Sequence, residues 1–278
     1  MPKGSVLLWE AFLQSDCDNC FGLCCVALPY AKSADFAFNK DGGEPCRNLL
    51  SDHRCNIHDQ LREKGFRGCV SYECFGAGQH VSQHIYHGDG WRHNPKQASE
   101  IFAVYPIVQQ LHEMLSYLSQ ALDLKETQLI QTEIKNIYHK TITMTDLPPK
   151  EILELDIPSH REIVNKILVM TSELVRKDFI QNQQNTKTLK GLDYLGANLK
   201  GVNLQGANLR GVLFIATNLR NADLRKADFI GADLRDADLS GANLTGAIFL
   251  TQSQINSAKG NRQTKLPFYI NTPEHWLS

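Results

Sequence analysis

Residues 197–246 read ANLKG VNLQG ANLRG VLFIA TNLRN ADLRK ADFIG ADLRD ADLSG ANLTG. A large apolar side chain returns every fifth position, from Tyr194 through Leu199, Leu204, Leu209, Phe214, Leu219, Leu224, Phe229, Leu234, Leu239 and Leu244 to Phe249. Two positions earlier stands a small residue, from Ala197, Val202, Ala207, Val212 and Thr217 through Ala222, Ala227, Ala232, Ala237 and Ala242 to Ala247. The residue between them is usually Asn or Asp. Neither a helix, with its period of 3.6, nor a flat strand, with its period of 2, keeps a five-residue rhythm on one face. A fixed short period with one small and one large inward residue predicts a solenoid. Glycine at Gly196, Gly201, Gly206, Gly211, Gly231, Gly241 and Gly246 suits tight corners, where a Cβ would clash.

The blocks A-N-L-K-G, A-D-L-R-K and A-D-F-I-G resemble the pentapeptide-repeat family over residues 190–251. The resemblance implies a right-handed quadrilateral β-helix with four pentapeptides per coil, so that twelve repeats make about three coils. It places Leu or Phe on the axis, Ala under the wall, and Asn or Asp outward. Each buried Leu or Phe contributes on the order of 1.5–3 kcal/mol before entropy is subtracted. Such a tower needs its open ends covered. Thr251 is a predicted N-cap for a helix from Gln252 to Lys259 that Gly260 stops. The apolar, proline-bearing stretch 264–276 is expected to wrap the last coil, and the polar run Gln181 to Thr188 to enter at the other end.

The second signal is cysteine. All eight lie within 58 residues of one another: Cys17, Cys20, Cys24, Cys25, Cys46, Cys55, Cys69 and Cys74. The first four form C-x2-C-x3-C-C, in which a tight turn brings two sulfurs to one side of an ion or cluster. Disulfides fit an oxidising compartment. The start of the chain shows no secretory signal, however, so a cytoplasmic location is expected. Eight thiols packed as small hydrophobes would not gather in one segment. Metal ligation is therefore the favoured reading, with the eight cysteines as its candidates, in two four-thiolate sites or in one site with spare thiols. Thiolates suit zinc, iron and iron–sulfur clusters alike, and the spacing does not partition them between sites. The segment 15–80, with P-C-x8-C-N-I-H and G-C-x4-C, resembles the zinc- or iron-chelating C-x2-C-x3-C-C family, departing from it at His58 and in L-R-E-K-G-F-R-G. That resemblance implies a ligating role for the eight cysteines.

Several neighbours of the cysteines invite a reading. His53 and His58 flank Cys55 and are candidates for mixed Cys/His ligation. His80, His84, His87 and His93 are expected at the surface, because Gly88-Asp89-Gly90 breaks the helix and no Glu ligand is near. The glycines of Cys74-Phe75-Gly76-Ala77-Gly78 are read as letting the backbone pass close to a packed site.

Between the two signals lies a helical scaffold. Asn94 and Pro95 open a predicted helix with the stripe Ile101, Tyr105, Val108, Leu111, Leu115, Leu118 and Leu122. A second runs from about Glu126 to Lys140. A third, Arg161 to Phe179, is capped by Ser159 and Glu162 and striped by Ile163, Ile167, Met170 and Leu174. It is expected to cap the first coil. Tyr105, Tyr117 and Trp91 are the aromatic candidates for binding a partner. The expected organisation is multidomain α+β. A cysteine-rich metal-binding module covers 1–92, a helical segment 93–180, the β-helix 190–251 and a cap 252–278.

The net charge of −1 favours neither nucleic acid nor an anionic surface. No apolar run reaches the roughly 20 residues of a membrane span. Neither a Walker loop nor a G-x-S-x-G elbow is present. Two functional classes remain. One is a non-catalytic, metal-binding adaptor whose partner is a protein. The order of cysteine-rich front, helices and repeat tail also resembles the oxetanocin A resistance type of pentapeptide protein. The other is an iron- or iron–sulfur-dependent enzyme. Mimicry of DNA towards gyrase is disfavoured, because six acids against seven bases over 190–251 leave no polyanionic face.

Overall fold

The computed structural model describes residues 12–181 and 191–277, with side chains from 12 to 179 and from 191 to 277. The expected entry of the run 181–188 into the tower falls almost wholly outside them. The chain divides into two compact units. The first takes the residues up to Asp123 together with Leu129–Leu168, and the second Leu124–Gln128 together with the chain from Val169 onward.

In the first unit a short helix α1 (Leu23–Ala27) packs on the long helix α2 (Ala98–Asp123). Leu23, Val26, Ala77, Val81 and Tyr86 share one core with Ile101, Val104, Tyr105 and Val108 of α2. The predicted stripe of α2 is buried from Ile101 to Leu118. Tyr105 belongs to that core, and Tyr117 is buried as well. This corrects their reading as partner-binding aromatics, and Tyr105 shares a 2.6 Å hydrogen bond with Tyr72. A 3-10 stretch, Lys125–Ile130, leads into α3 (Gln131–Thr145), followed by α4 (Pro149–Leu153) and α5 (Ile157–Gln181).

The third predicted helix needs two corrections. Its cap is Asp156, whose carboxylate accepts from the Ser159 N–H and hydroxyl. Its buried face keeps Ile167 of the predicted stripe but not Ile163 and Met170, which are 40% and 44% exposed; His160, Val164, Leu168, Thr171, Ser172, Val175 and Arg176 are buried with it. Four polar residues stand on that inner face, so apolar periodicity finds only part of it.

In the second unit parallel bridges join residues 20 apart: Asp193 to Leu213, Asn198 to Asn218, Asn203 to Asp223, and so on to Asp228 with Ile248. Twenty residues are four pentapeptides, so each coil has four sides. The walls consist of isolated bridges, and no longer strand forms there. Each side contributes one paired position before the chain turns. Leu204, Leu209, Phe214, Leu219, Leu224, Phe229, Leu239, Leu244 and Phe249 are fully buried on the axis.

The Asn or Asp position does more than face outward. In ten repeats its Oδ1 accepts the backbone N–H two residues later, as from Lys200 to Asn198, Ile230 to Asp228 and Ser240 to Asp238. This is the Asx turn, which satisfies a corner donor locally. At every corner the backbone is left-handed: φ is +67° at Gly211 and Gly231, but also +55° at Ala216, +56° at Asn221, +54° at Lys226 and +58° at Asp236.

Both ends of the tower are covered within this unit. A Cβ on Gly206 would stand 2.4 Å from Phe179 Cβ of α5, so that corner admits only glycine beneath the helix. At the other end Thr251 and Gln254 form a capping box for α6 (Gln252–Ser257), two residues shorter than expected. The Gln254 amide donates to Phe229 O and Ala232 O on the coil. Trp276 is buried over Gly260 and donates to Ala258 O at 3.1 Å. The 264–276 stretch thus wraps the last coil.

Candidate metal centre

Helix α1 places two neighbouring cysteines. Leu23 and Val26 are fully buried, and Cys24 and Cys25 stand between them. Cys46 is tied to α1 through its N–H to Cys25 O at 2.9 Å. Leu49 donates to Cys46 O and bridges antiparallel to Cys55, which brings Cys55 alongside. Cys69 sits on a helical turn, Arg67–Val70. Cys74 precedes a turn in which Gly76 is left-handed at φ +81° and Gly78 lies against sulfur. A Cβ on Gly78 would be 2.7 Å from Cys20 Sγ and 3.8 Å from Cys74 Sγ. The close-approach reading of these glycines holds.

All eight cysteines are free thiols. Burial, and then the charge of Cys74, push the Cys17 thiol up. Burial pushes Cys20 up to about 12, with Cys74 and Cys17 adding to it. Burial likewise pushes Cys69 up to about 12, and its neighbours in charge are Cys25, Cys46 and Cys55. Cys55 is raised by burial, then by Cys25 and Cys46. Cys24 Sγ donates to Cys25 Sγ at 3.9 Å. That bond holds Cys24 as a thiol and, with the Lys40 charge, favours the Cys25 thiolate against the effect of burial.

Among the described residues no group of three or more His, Cys, Asp or Glu side chains is arranged to hold an ion as it stands. The surroundings nevertheless suit thiolate ligands. Tyr30 Oη donates to Cys46 Sγ at 3.2 Å, and Ser15 Oγ lies 3.0 Å from Cys74 Sγ. Backbone N–H groups of Leu23 and Gly22 turn to Cys20, and that of Ile57 to Cys55. Such donors orient sulfur ligands and stabilise their charge. Lys40 is only 5% exposed. Its ammonium donates to Val26 O, Asp41 O and Glu44 O at 3.0–3.1 Å. Burial lowers its pKa, while Cys46 and Cys25 raise it. A buried cation is costly unless anionic charge faces it. The donor set, the sulfur-directed N–H and O–H groups and the buried lysine together fit a thiophilic metal.

The histidines divide differently from the sequence reading. His53 lies against Phe21 and Trp91, with ring centroids at 5.5 and 5.7 Å, and His58 is exposed. His84, His87 and His93 are exposed as expected. His80 is not: it is buried on a π-helical turn, His80–Ile85, and its Nε2 pairs with Thr145 O at 3.0 Å. Its ring lies 5.0 Å from that of His112. The sequence reading missed His112, which the α2 stripe conceals as an interior position, and also Lys40, Tyr30 and Ser15. A single lysine or tyrosine among polar residues carries no periodic signal.

The solenoid face carries compensated charge. Arg210 pairs with buried Asp228 at 3.2 Å, Arg220 with Asp238 at 3.1 Å, Arg225 with Asp223 and Arg235 with Asp233.

The pentapeptide-repeats family model matches in eight copies over 189–214, 195–229 and 213–249. The uncharacterized protein YybG of Bacillus subtilis (strain 168) is 58% identical over 264 residues, covering 95% of each chain. The chain belongs to the same family as YybG and is a pentapeptide-repeat protein. Among solved structures it matches the pentapeptide repeat protein Rfr23 of the cyanobacterium Cyanothece 51142 at 28% identity, over 27% of this chain and 53% of that one, with a TM-score of 0.22. It also matches HetL of Nostoc sp. strain PCC 7120 at 30% identity, over 29% of this chain and 36% of that one, with a TM-score of 0.19. This chain therefore spans about half of Rfr23 and about a third of HetL. No helix among the described residues is long and apolar enough to cross a membrane.

Proposed function

We propose that this protein is a metal-binding, non-catalytic adaptor. In this reading the cysteine segment is closed by zinc or iron, and the solenoid offers a regular surface to a protein partner. The carrying observation is the concentration of eight free thiols between Cys17 and Cys74, with Tyr30 donating to Cys46 and the buried Lys40 near Cys46 and Cys25. Cys17, Cys20, Cys24, Cys25, Cys46, Cys55, Cys69 and Cys74 would hold the metal. Its contribution would be cross-linking: one bound ion ties together segments far apart in sequence and adds its binding free energy to folding. The paired charges of the solenoid argue against mimicry of DNA, since Asp223, Asp228, Asp233 and Asp238 each face an arginine.

The test is elemental. Purify the full chain without oxygen and measure zinc, iron and labile sulfide per chain. At least one equivalent of metal is expected. Substoichiometric values for every metal, with all eight thiols titratable, would end this reading.

A further inference from the structure

We propose that Cys24 and Cys25 form a two-sulfur site for a trivalent arsenical, a soft electrophile that bonds to a pair of neighbouring thiols. Among the described residues these are the two sulfurs in contact: Cys24 Sγ donates to Cys25 Sγ at 3.9 Å. Both are free thiols on half-buried residues, so neither is sealed inside the core. The site stands apart from the metal-binding reading above, because it needs only the contact that the two thiols already make.

The main chain fixes that contact. Leu23 and Val26, on either side of the pair, are fully buried. The Cys25 N–H donates to Gly22 O, and the Cys25 carbonyl accepts from Cys46 N–H, each at 2.9 Å. Val26 O takes two donors, Gly43 N–H at 2.8 Å and the Lys40 ammonium at 3.1 Å. Gly22, which opens the helix, is left-handed at φ +67°, and a Cβ there would stand 2.7 Å from Leu49 Cδ1. A helix anchored in this way leaves the two thiols little beyond side-chain rotation. A ligand that finds its donors already in place is spared the cost of ordering them.

The geometry selects among the reactions open to a thiol pair. A disulfide is disfavoured, because adjacent Cα atoms stand about 3.8 Å apart, below the roughly 4.4 Å at which ordinary bridges begin. An ion held by protein groups alone asks for more ligands than these two, and among the described residues no group of three is arranged for one. Trivalent arsenic that carries one organic group asks for two sulfurs. Its bonds to sulfur match those of zinc in length, roughly 2.3 Å. A bent S–As–S unit therefore closes on sulfurs 3.9 Å apart after a slight turn of either side chain. With phenylarsine oxide, two S–H bonds and the arsenic–oxygen bond break, and two As–S bonds form. Both thiol protons leave with the oxygen as water. Arsenic stays trivalent, so no oxidant or reductant takes part.

The experiment uses the intact wild-type chain, reduced and kept free of oxygen and added metal. Phenylarsine oxide is added in steps, the remaining thiols are alkylated, and the peptides are mapped by mass spectrometry. The first equivalent should protect Cys24 and Cys25 together and leave the other cysteines open to the label. Protection of another pair first, such as Cys17 with Cys20, would overturn the assignment, and so would protection spread evenly over all the thiols. Cys24→Ser or Cys25→Ser should weaken uptake of the first equivalent about a hundredfold or more, as loss of one arm of a bivalent contact does. Hydrogen exchange along α2 checks that the variants keep their fold, and unchanged affinity in both would sink the proposal. A second titration on zinc-loaded chain separates this site from the metal-binding reading. Bound zinc that blocks the arsenical supports both, since both then use these sulfurs. A chain that takes up no zinc, yet closes its first arsenical on Cys24 and Cys25, ends the metal reading and leaves this site standing. A chain that takes up zinc, but whose metal-free form closes its first arsenical elsewhere, does the reverse.

Discussion

In the solenoid one five-residue arrangement is repeated coil upon coil, whereas in the unit that holds the cysteines each contact is made once. The repeat lets every position do the same work many times: an axis residue buried, an Asn or Asp closing a turn, a left-handed corner. Damage to one rung is therefore local, because a solenoid's stability is nearly a sum over neighbours. The cysteine-bearing unit has no such redundancy. Its core joins α1, the turn after Cys74 and α2 through single residues, and the unit also buries His80, His112, His160 and Lys40.

The largest contrast should come from cutting the axis. Phe229 is fully buried in the middle coil. Phe229→Ala should cost about 3–5 kcal/mol, the usual range for a buried Phe left as a cavity. Hydrogen exchange resolved by peptide should show the loss confined to the coils next to 229, with protection around α1 and α2 unchanged. Equal loss across both units would mean that the two fold as one cooperative body.

Acid should separate the units in the opposite direction. His112 is fully buried, and burial first, then His80, push its pKa down to about 3. His80 and His160 are also lowered, chiefly by burial. A histidine with a depressed folded pKa stabilises the neutral form. Its contribution is complete above the unfolded value near 6.5 and is lost as pH falls from there towards the folded value. For His112 alone the loss at pH 5 is about 2 kcal/mol. In the solenoid, hydrogen bonds from Arg225 lower Asp223. Asp233 is lowered because Arg235 and a backbone N–H outweigh burial. These carboxylates keep their contribution until pH falls below about 4. Exchange measured at pH 7 and pH 5, corrected for intrinsic rates, should show the first unit loosening and the coils holding. His112→Phe should remove much of that pH dependence.

The same contrast explains what could be read from sequence. The solenoid was legible to the level of coil length, because twelve copies average out local exceptions. The Asx turns were missed, since an Asn at position 198 or 218 looks like any exposed polar residue until its Oδ1 is seen facing the corner N–H. In the helical part α2 was legible because its inner face is almost wholly apolar. Helix α5 was legible as a helix but its inner face only in part, because His160, Thr171, Ser172 and Arg176 stand there beside Ile167. His160 Nε2 pairs with Thr141 at 2.8 Å, and Arg176 donates to Ser172 at 3.0 Å. For the candidate site the eight cysteines and the close-approach glycines after Cys74 were readable in the sequence, while Lys40 and Tyr30 emerge only from the fold.

The smallest predicted effect tests how far the repeat tolerates departures. Corners stack in columns 20 residues apart, and three of the non-glycine corners, Ala216, Asn221 and Lys226, fall in the same coil. Two of them sit beneath a glycine that leaves room for the side chain. Asn221 Oδ1 lies 2.2 Å from where a Cβ on Gly241 would be, and Lys226 Cγ lies 3.4 Å from the same point on Gly246. A larger residue can thus occupy a corner when the next coil yields the space, and its side chain can return something: Lys226 pairs with Glu126 at 2.9 Å. Ala216 has no polar group to offer and stands at φ +55°. An L-residue in this region costs roughly 1–2 kcal/mol, against about 0.5–1 kcal/mol for the extra freedom of an unfolded glycine. Ala216→Gly should therefore stabilise the coil by up to about 1 kcal/mol, read as slower exchange of the Ala216 corner and its neighbours. Asn221→Gly should gain less, because asparagine tolerates the left-handed region and its amide is already placed under Gly241. If both variants lose stability, corner strain is not what limits this coil, and its side-chain packing between turns counts for more than its backbone.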